Sequence, residues 1–197
     1  MELEAFSHLR KVMDTYYVLS EQAWQGILSI SKVRKVKKGE RLVEFGDIPT
    51  SIFFSHIGLY RAYIISEDDA KEVNKNFFAE GRFPASIAAA LTQSESSLCI
   101  EALENGVVIE LDHKKYRALL DVHHDLKWYQ IVYLERHWLL EKDPLVTSLL
   151  SQEAKERYQV FKEENPGLVD RIPLYHLASN LGITPTQLSR IRKNLKN

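Results

Sequence analysis

Cysteine is almost missing from this chain. Cys99 is the only one in 197 residues. That rules out an internal disulfide, an iron–sulfur cluster and a cysteine-based zinc site, all of which need several thiols. Cys99 stands in the run Leu98-Cys99-Ile100, where a small buried hydrophobe is the expected role. Long apolar runs are missing as well. None approaches the roughly 18 residues that span a bilayer, so no membrane segment is expected. The residues Met1 to Ala5 lack the basic-then-apolar layout of a secretion signal, and a cytoplasmic protein is expected. A Gly-rich phosphate loop, a spaced set of metal ligands and a nucleophile elbow are also missing. No catalytic residue, metal or cofactor is expected, and the chain reads as a non-enzyme.

Acidic side chains are lacking in one place only. From Arg171 onward the sequence contains Arg171, Arg190, Arg192, Lys193 and Lys196 but no Asp or Glu. The rest carries 21 basic and 27 acidic residues, a balance of −6 that the overall net charge of −1 conceals. An acidic body with a basic end points to an anionic partner for that end.

What is present divides by hydrophobic period. Glu2 to Ser31 reads helical, with Leu3, Phe6, Leu9, Val12 and Met13 at helical spacing. Ser20 is a predicted N-cap for a second helix that buries Ala23, Trp24, Ile27 and Leu28. From Lys32 the pattern changes to short β-branched and aromatic runs between turn signals. The runs are Leu42–Phe45, Ile52–His56, Tyr60–Ile65, Val73–Phe78, Leu98–Leu103 and Val107–Leu111, with an Ala-rich helical turn over Ser86–Leu91. Strands at this spacing imply an antiparallel sandwich or barrel. Helical spacing returns with Tyr116, Leu119 and Leu120, and a long helix is predicted from Asp125 to Lys142. Asp143-Pro144 breaks it. Leu145 to Glu164 reads as one further helix, stopped by Asn165-Pro166-Gly167. Two short helices follow, about Pro173–Leu181 and Pro185–Leu195.

The last of these segments carries the chemistry. Leu174, Leu177, Ala178 and Leu181 share one helical face, Gly182 suits a left-handed stop, and Ile183 is an apolar plug. Thr184 and Gln187 match a capping box for the next helix, with Pro185 in its first turn. Leu188, Ile191 and Leu195 form its buried face, which leaves Thr186, Ser189, Arg190, Lys193 and Asn194 outward. Helix, glycine turn, then helix with a basic outer face is the helix-turn-helix pattern. Arg190 is the best base reader, because its fork fits the guanine edge. Thr184, Thr186, Gln187 and Ser189 suit bases or phosphates. Arg192, Lys193 and Lys196 suit phosphates, which set salt dependence rather than sequence. A plain αα-hairpin gives a similar pattern.

The order of elements resembles the Crp/Fnr family of transcription regulators over nearly the whole chain. In the strand-rich part the resemblance rests on Lys38-Gly39-Glu40, Gly46-Asp47, Ile52-Phe53-Phe54 and Gly58-Leu59-Tyr60-Arg61. In the C-terminal part it rests on Glu156-Arg157-Tyr158, Arg171-Ile172-Pro173, Leu177-Ala178, Leu181-Gly182-Ile183-Thr184 and Leu188-Ser189-Arg190-Ile191-Arg192. It looks like the subgroup common in Bacteroidetes-type bacteria. The resemblance implies an α+β chain in three parts. Residues 1–124 would be an antiparallel β-roll (a jelly-roll-like double-stranded β-helix) of the cyclic-nucleotide-binding kind. Residues 125–143 would be a central dimerisation helix, and 144–197 an all-α DNA-binding domain. It implies a homodimer joined through Leu126, Tyr129, Val132, Tyr133, Arg136 and Leu140, reading a near-palindromic duplex. For the same stripe, packing against the chain's own β-roll is the alternative.

Departures from the family carry weight. Members that bind cyclic nucleotides have a Gly-Glu pair for the ribose and an Arg-Ser/Thr pair for the phosphate. The corresponding segments here are Phe83-Pro84-Ala85-Ser86 and Ser96-Ser97, so Ser86 and Ser96 replace the acid and the base. A buried phosphate without a cation is poorly held, and cAMP is not the expected effector. Arg82 is a nearby substitute, so Arg82, Phe83, Ser86, Ser96 and Ser97 form the candidate effector pocket, its ligand unknown. Haem remains open because there are seven histidines, although His123-His124 reads as a solvated pair. In the recognition helix, Pro185 and Thr186 stand where cyclic-AMP-type members have Arg-Glu, and only Arg190 matches. The target sequence should therefore differ. With the sequence ending at Asn197, no strand pair is expected after this helix. The basic run Lys32, Arg34, Lys35, Lys37, Lys38 and Arg41 reads as a solvated strand and turn, with auxiliary contact to DNA backbone or RNA polymerase as the alternative. From another functional class, the competing reading is an effector-binding or protein-interaction module whose DNA-binding unit has degenerated.

Overall fold

The computed structural model describes residues 1–142, 147 and 151–195. Among the described residues, seven strands form two antiparallel sheets. The first has the order β1 (Ser31–Val36), β7 (Gly106–Asp112), β3 (Ser51–Ile57). The second has the order β2 (Arg41–Val43), β6 (Cys99–Ala102), β4 (Tyr60–Ile65), β5 (Glu72–Phe78). Val36, Val43, Phe53, Tyr60, Ala62, Ile100, Ala102 and Val108 fill the space between them. The other faces are covered too. Ile52, Phe54, Ile109 and Leu111 point out of the first sheet onto helices, and Phe77 of the second, with Leu59 and Leu103 at the ends of β4 and β6, lies under the C-terminal helices. Successive strand residues face opposite ways, so strands covered on both sides read as continuous apolar runs.

The helical layer on the first sheet comprises α1 (Glu2–Asp14), α2 (Glu21–Ser29), α4 (His113–Val122) and α5 (His124–Leu134). The Ser20 cap is present, its hydroxyl accepting from the Ala23 N–H at 3.2 Å. α3 (Ile87–Thr92) is the Ala-rich turn. In α1 the buried residues are Ala5, Leu9 and Met13, one every four, whereas Leu3 is 84% exposed. The stripe is thus shifted from the predicted one.

Two predicted helices are interrupted. The central helix is α-helical only to Leu134 and continues over Glu135–Leu140 as a π-helix, with the Glu141 N–H donating to the Arg136 carbonyl at 3.1 Å. Leu145–Glu164 is not one helix in its described part. The chain bends at Gln152, and α6 (Ala154–Glu164) starts afresh with a capping box between Glu153 and Glu156. A glutamate can cap in this way because its carboxylate accepts the first orphan N–H groups. The predicted boundary at Asp143-Pro144 lies outside the described residues. Three short helices follow: α7 (Leu168–Arg171), α8 (Leu174–Asn180) and α9 (Pro185–Asn194). Their core is Tyr158, Leu168, Val169, Ile172, Leu177, Ala178, Leu181 and Leu188.

Candidate nucleic-acid interface

α8 ends as its sequence requires. Gly182 has φ +68°, a left-handed conformation that side chains with a Cβ resist. Its N–H donates to the Ser179 carbonyl at 3.2 Å, and the Ile183 N–H donates to that of Ala178 at 3.0 Å. This pair of bonds is the Schellman closure, and half-buried Ile183 supplies the apolar contact that accompanies it. Arg157 of α6 fastens the same corner: its Nε and Nη2 donate to the Leu181 carbonyl at 3.2 and 2.9 Å. A guanidinium at a helix C-terminus satisfies orphan carbonyls and meets the negative end of the helix dipole.

α9 starts from the reciprocal cap. The Gln187 N–H donates to Thr184 Oγ1 at 3.2 Å, and the Thr184 N–H donates to Gln187 Oε1 at 2.9 Å. Leu188 is fully buried against Leu177, Ala178 and Leu181. This contact aims the rest of the helix. Thr186, Ser189, Arg190, Lys193 and Asn194 are all exposed, and helical spacing aligns Thr186, Arg190 and Lys193. Thr184 and the oxygen of Gln187 are spent on the cap. Arg192 departs from this face and points to Asp170, with Nη2 3.5 Å from Oδ1. Leu195, expected in the buried face, is 37% exposed. Lys196 lies outside the described residues.

The residues expected to hold an effector have contacts of their own in the described structure. Ser86 and Ser96 are both buried, with their hydroxyl oxygens 2.8 Å apart. Ser96 Oγ is also 2.7 Å from the Leu98 carbonyl. One hydroxyl carries one proton, so Ser96 divides it between the Ser86 hydroxyl and the Leu98 carbonyl, while its oxygen accepts from the Leu98 N–H at 3.3 Å. Ser97 is exposed. Phe83 packs edge-on to Tyr133 and tilted on Phe54, with ring centroids at 5.4 and 5.1 Å. Arg82 Nη2 is 2.9 Å from Glu141, which also meets His137 Nδ1 at 2.8 Å. A cavity of about 210 Å³ opens between Arg34, Asp47, Thr50 and Glu110, and another of about 320 Å³ between Glu80, Asn165, Leu168 and Arg171. None of the five expected residues lines either.

The expected dimer stripe divides in two. Leu126 and Tyr129 are 0% and 3% exposed and pack into the chain's own core. Val132 and Tyr133 are half-buried, while Arg136 and Leu140 are exposed. Trp128, Ile131, Leu134, Trp138, Leu139 and Leu140 are exposed in the single chain. His124 is exposed and its Nε2 accepts from Trp128 Nε1 at 2.8 Å. In the basic run, Arg34 pairs with Glu40 at 2.6 Å and Lys32 with Glu110 at 3.3 Å, while Lys35, Lys37 and Lys38 are exposed. Cys99 is buried. Among the described residues no helix is long and apolar enough to cross a membrane, and no group of three or more metal-ligating side chains is assembled.

Residues 33–123 match the family model of the cyclic nucleotide-binding domain. No curated protein matches the chain. Several solved structures share its fold. The Catabolite Activator Protein of Thermus thermophilus is 21% identical, with TM-score 0.55 over 90% of this chain and 84% of that one. CLP of Xanthomonas campestris, a c-di-GMP responsive global regulator, is 15% identical, with TM-score 0.67 over 90% and 92%. FixK2 from Bradyrhizobium japonicum is 16% identical, with TM-score 0.66 over 85% of each chain. Against cAMP-bound PfPKA-R, 16% identical with TM-score 0.53, 60% of this chain matches and spans 43% of that one. At these identities the likeness establishes a β-roll of the cyclic-nucleotide-binding type, carried in a mixed α/β chain.

Proposed function

We propose that this chain is a DNA-binding transcription regulator of the Crp/Fnr kind that acts as a homodimer on a near-palindromic duplex. The observation that carries the reading is the seating of α9. Leu188 is buried beneath it, Gly182 and Thr184 define its start, and Thr186, Ser189, Arg190 and Lys193 stand exposed on a stretch without acidic residues. A helix so presented fits a major groove, with Arg190 at a guanine edge and Lys193 at a phosphate. The homodimer is supported by the uncovered strip from Trp128 to Leu140. Two such strips facing each other would remove large apolar side chains from water.

We further propose that the regulator does not respond to cyclic AMP. Buried Ser86 and Ser96 satisfy one another where a ribose acceptor and a phosphate cation are needed, and Arg82 is committed to Glu141. A cyclic phosphate placed there would lose water without gaining a charged partner. Selection of genomic fragments by the purified protein at moderate salt tests the DNA reading and should return a palindromic consensus. Arg190→Ala should relax one base position per half-site, by about 1–3 kcal/mol. An unchanged consensus of equal stringency would remove Arg190 from its role, and failure to enrich any duplex would remove the function.

A further inference from the structure

A buried polar cluster unused by the exposed face of α9 lies where the C-terminal helices meet the second sheet. Arg61 interrupts the apolar strand β4 and is 3% exposed. Its Nε and Nη2 donate to Glu101 at 3.0 and 2.5 Å, and its Nη1 donates to Glu72 at 2.6 Å. The same Nη1 is 2.9 Å from Nδ1 of His176 on α8, which is equally buried. A guanidinium is always a donor, so His176 Nδ1 accepts and the ring proton sits on Nε2.

Around this contact α8 occupies the free edge of β5. The Asn74 N–H donates to Ser179 Oγ at 3.0 Å, Ser179 Oγ donates to the Glu72 carbonyl at 3.0 Å, and Asn180 Nδ2 donates to the Asn74 carbonyl at 3.1 Å. An edge strand ordinarily leaves such groups to water. A second tie sits at the start of the unit, where Arg171 pairs with Glu80 at 2.9 Å and Glu104 at 2.6 Å. The helix that precedes the reading helix is thus bolted to the β-roll by directional bonds, at least one to a fully ionised buried group.

We infer that Arg61 is a positioning residue for DNA recognition: through His176 it sets the angle at which α9 is offered, without touching the duplex. The inference rests on the reading of α9 given above. In a two-fold dimer, two reading helices must lie about one helical turn of DNA apart. A small rotation of α8 on β5 changes that separation, while the groups on α9 itself stay the same. Loss of Arg61 would therefore alter which half-site spacing is accepted more than it alters attraction to DNA in general.

The test uses the full chain with Arg61→Met and Arg61→Lys, and with His176→Leu and His176→Asn. The asparagine oxygen can replace Nδ1 as acceptor, so that variant is the expected rescue. Duplex libraries built on the selected consensus, differing only in central spacing, are scored beside a random duplex at low salt, and amide exchange is followed over 174–180. Arg61→Met and His176→Leu should exchange about tenfold faster there. They should lose their preference for one spacing yet keep random-duplex affinity, while His176→Asn stays near the unaltered chain. A folded Arg61→Met protein with the original spacing preference and the original exchange would overturn the inference. If the unaltered chain binds no duplex, the DNA reading falls instead. The exchange arm then decides the clamp: faster exchange supports it and unchanged exchange overturns it.

Discussion

Truncating Leu188 to alanine should unseat α9. Leu188 is fully enclosed by Leu177, Ala178, Leu181 and their neighbours. Three carbons leave a close-packed site, worth about 0.8 kcal/mol each in transfer alone, or roughly 2.4 kcal/mol together. The cavity left behind raises the cost to about 3–5 kcal/mol. Local structure cannot absorb this. α9 has ten residues, fewer than the roughly 12–15 at which an isolated helix becomes even marginal, and its cap contributes only about 1 kcal/mol. The expected outcome is loss of amide protection over 185–194 and loss of duplex affinity by two orders of magnitude or about that. The tryptophans, Trp24, Trp128 and Trp138, all lie outside the C-terminal helices and should report a β-roll that stays folded. Unchanged protection of 185–194 with unchanged affinity would refute the claim that this contact aims α9.

Four further outcomes follow from the same geometry. Burial, and then the neighbouring Arg61 charge, lower the His176 pKa to about 4. Between the unfolded value near 6.5 and about 4 the unfolded chain binds a proton that the folded chain does not. Stability is therefore full above pH 6.5 and falls as the pH drops toward 4, by a few kcal/mol at most, and His176→Asn should flatten that slope in denaturation curves. Lys193→Ala should weaken all duplexes evenly and lower the salt slope by about one, whereas a change of consensus would place Lys193 on a base. Cyclic AMP at millimolar concentration should leave the melting temperature where it was, and an upward shift of several degrees would restore it as a ligand. In the proposed homodimer, Trp138→Arg should convert dimer to monomer in sedimentation, while Leu126→Ala should lower the melting temperature at any oligomeric state. The reverse result would exchange their places.

Much of the molecule could be read locally. β4 has the predicted bounds Tyr60–Ile65, and the caps at Ser20 and Thr184 and the stop at Gly182 act within four residues of themselves. Strand runs were visible because both faces of β3 and β7 are covered, which concentrates apolar residues beyond chance. The exposed face of α9 followed from its period once Leu188 was taken as the inward residue. Less legible was anything that depends on which of two apolar faces is covered. A one-dimensional stripe does not say which of its residues meet the chain's own core, and only the packing of the helical layer places Leu126 and Tyr129 there. The π-helical stretch Glu135–Leu140 leaves no mark in composition.

What the sequence determined by itself is the succession of elements, their caps and the basic, acid-free character of the end that carries α9, because each depends on neighbours a few bonds away. Only the tertiary structure decided which charges are free. Arg190 and Lys193 face solvent, Arg192 turns to Asp170, and Arg61 meets His176 from 115 residues away. Partners at such separation are chosen by how two layers come to lie on each other, and no local pattern records that choice.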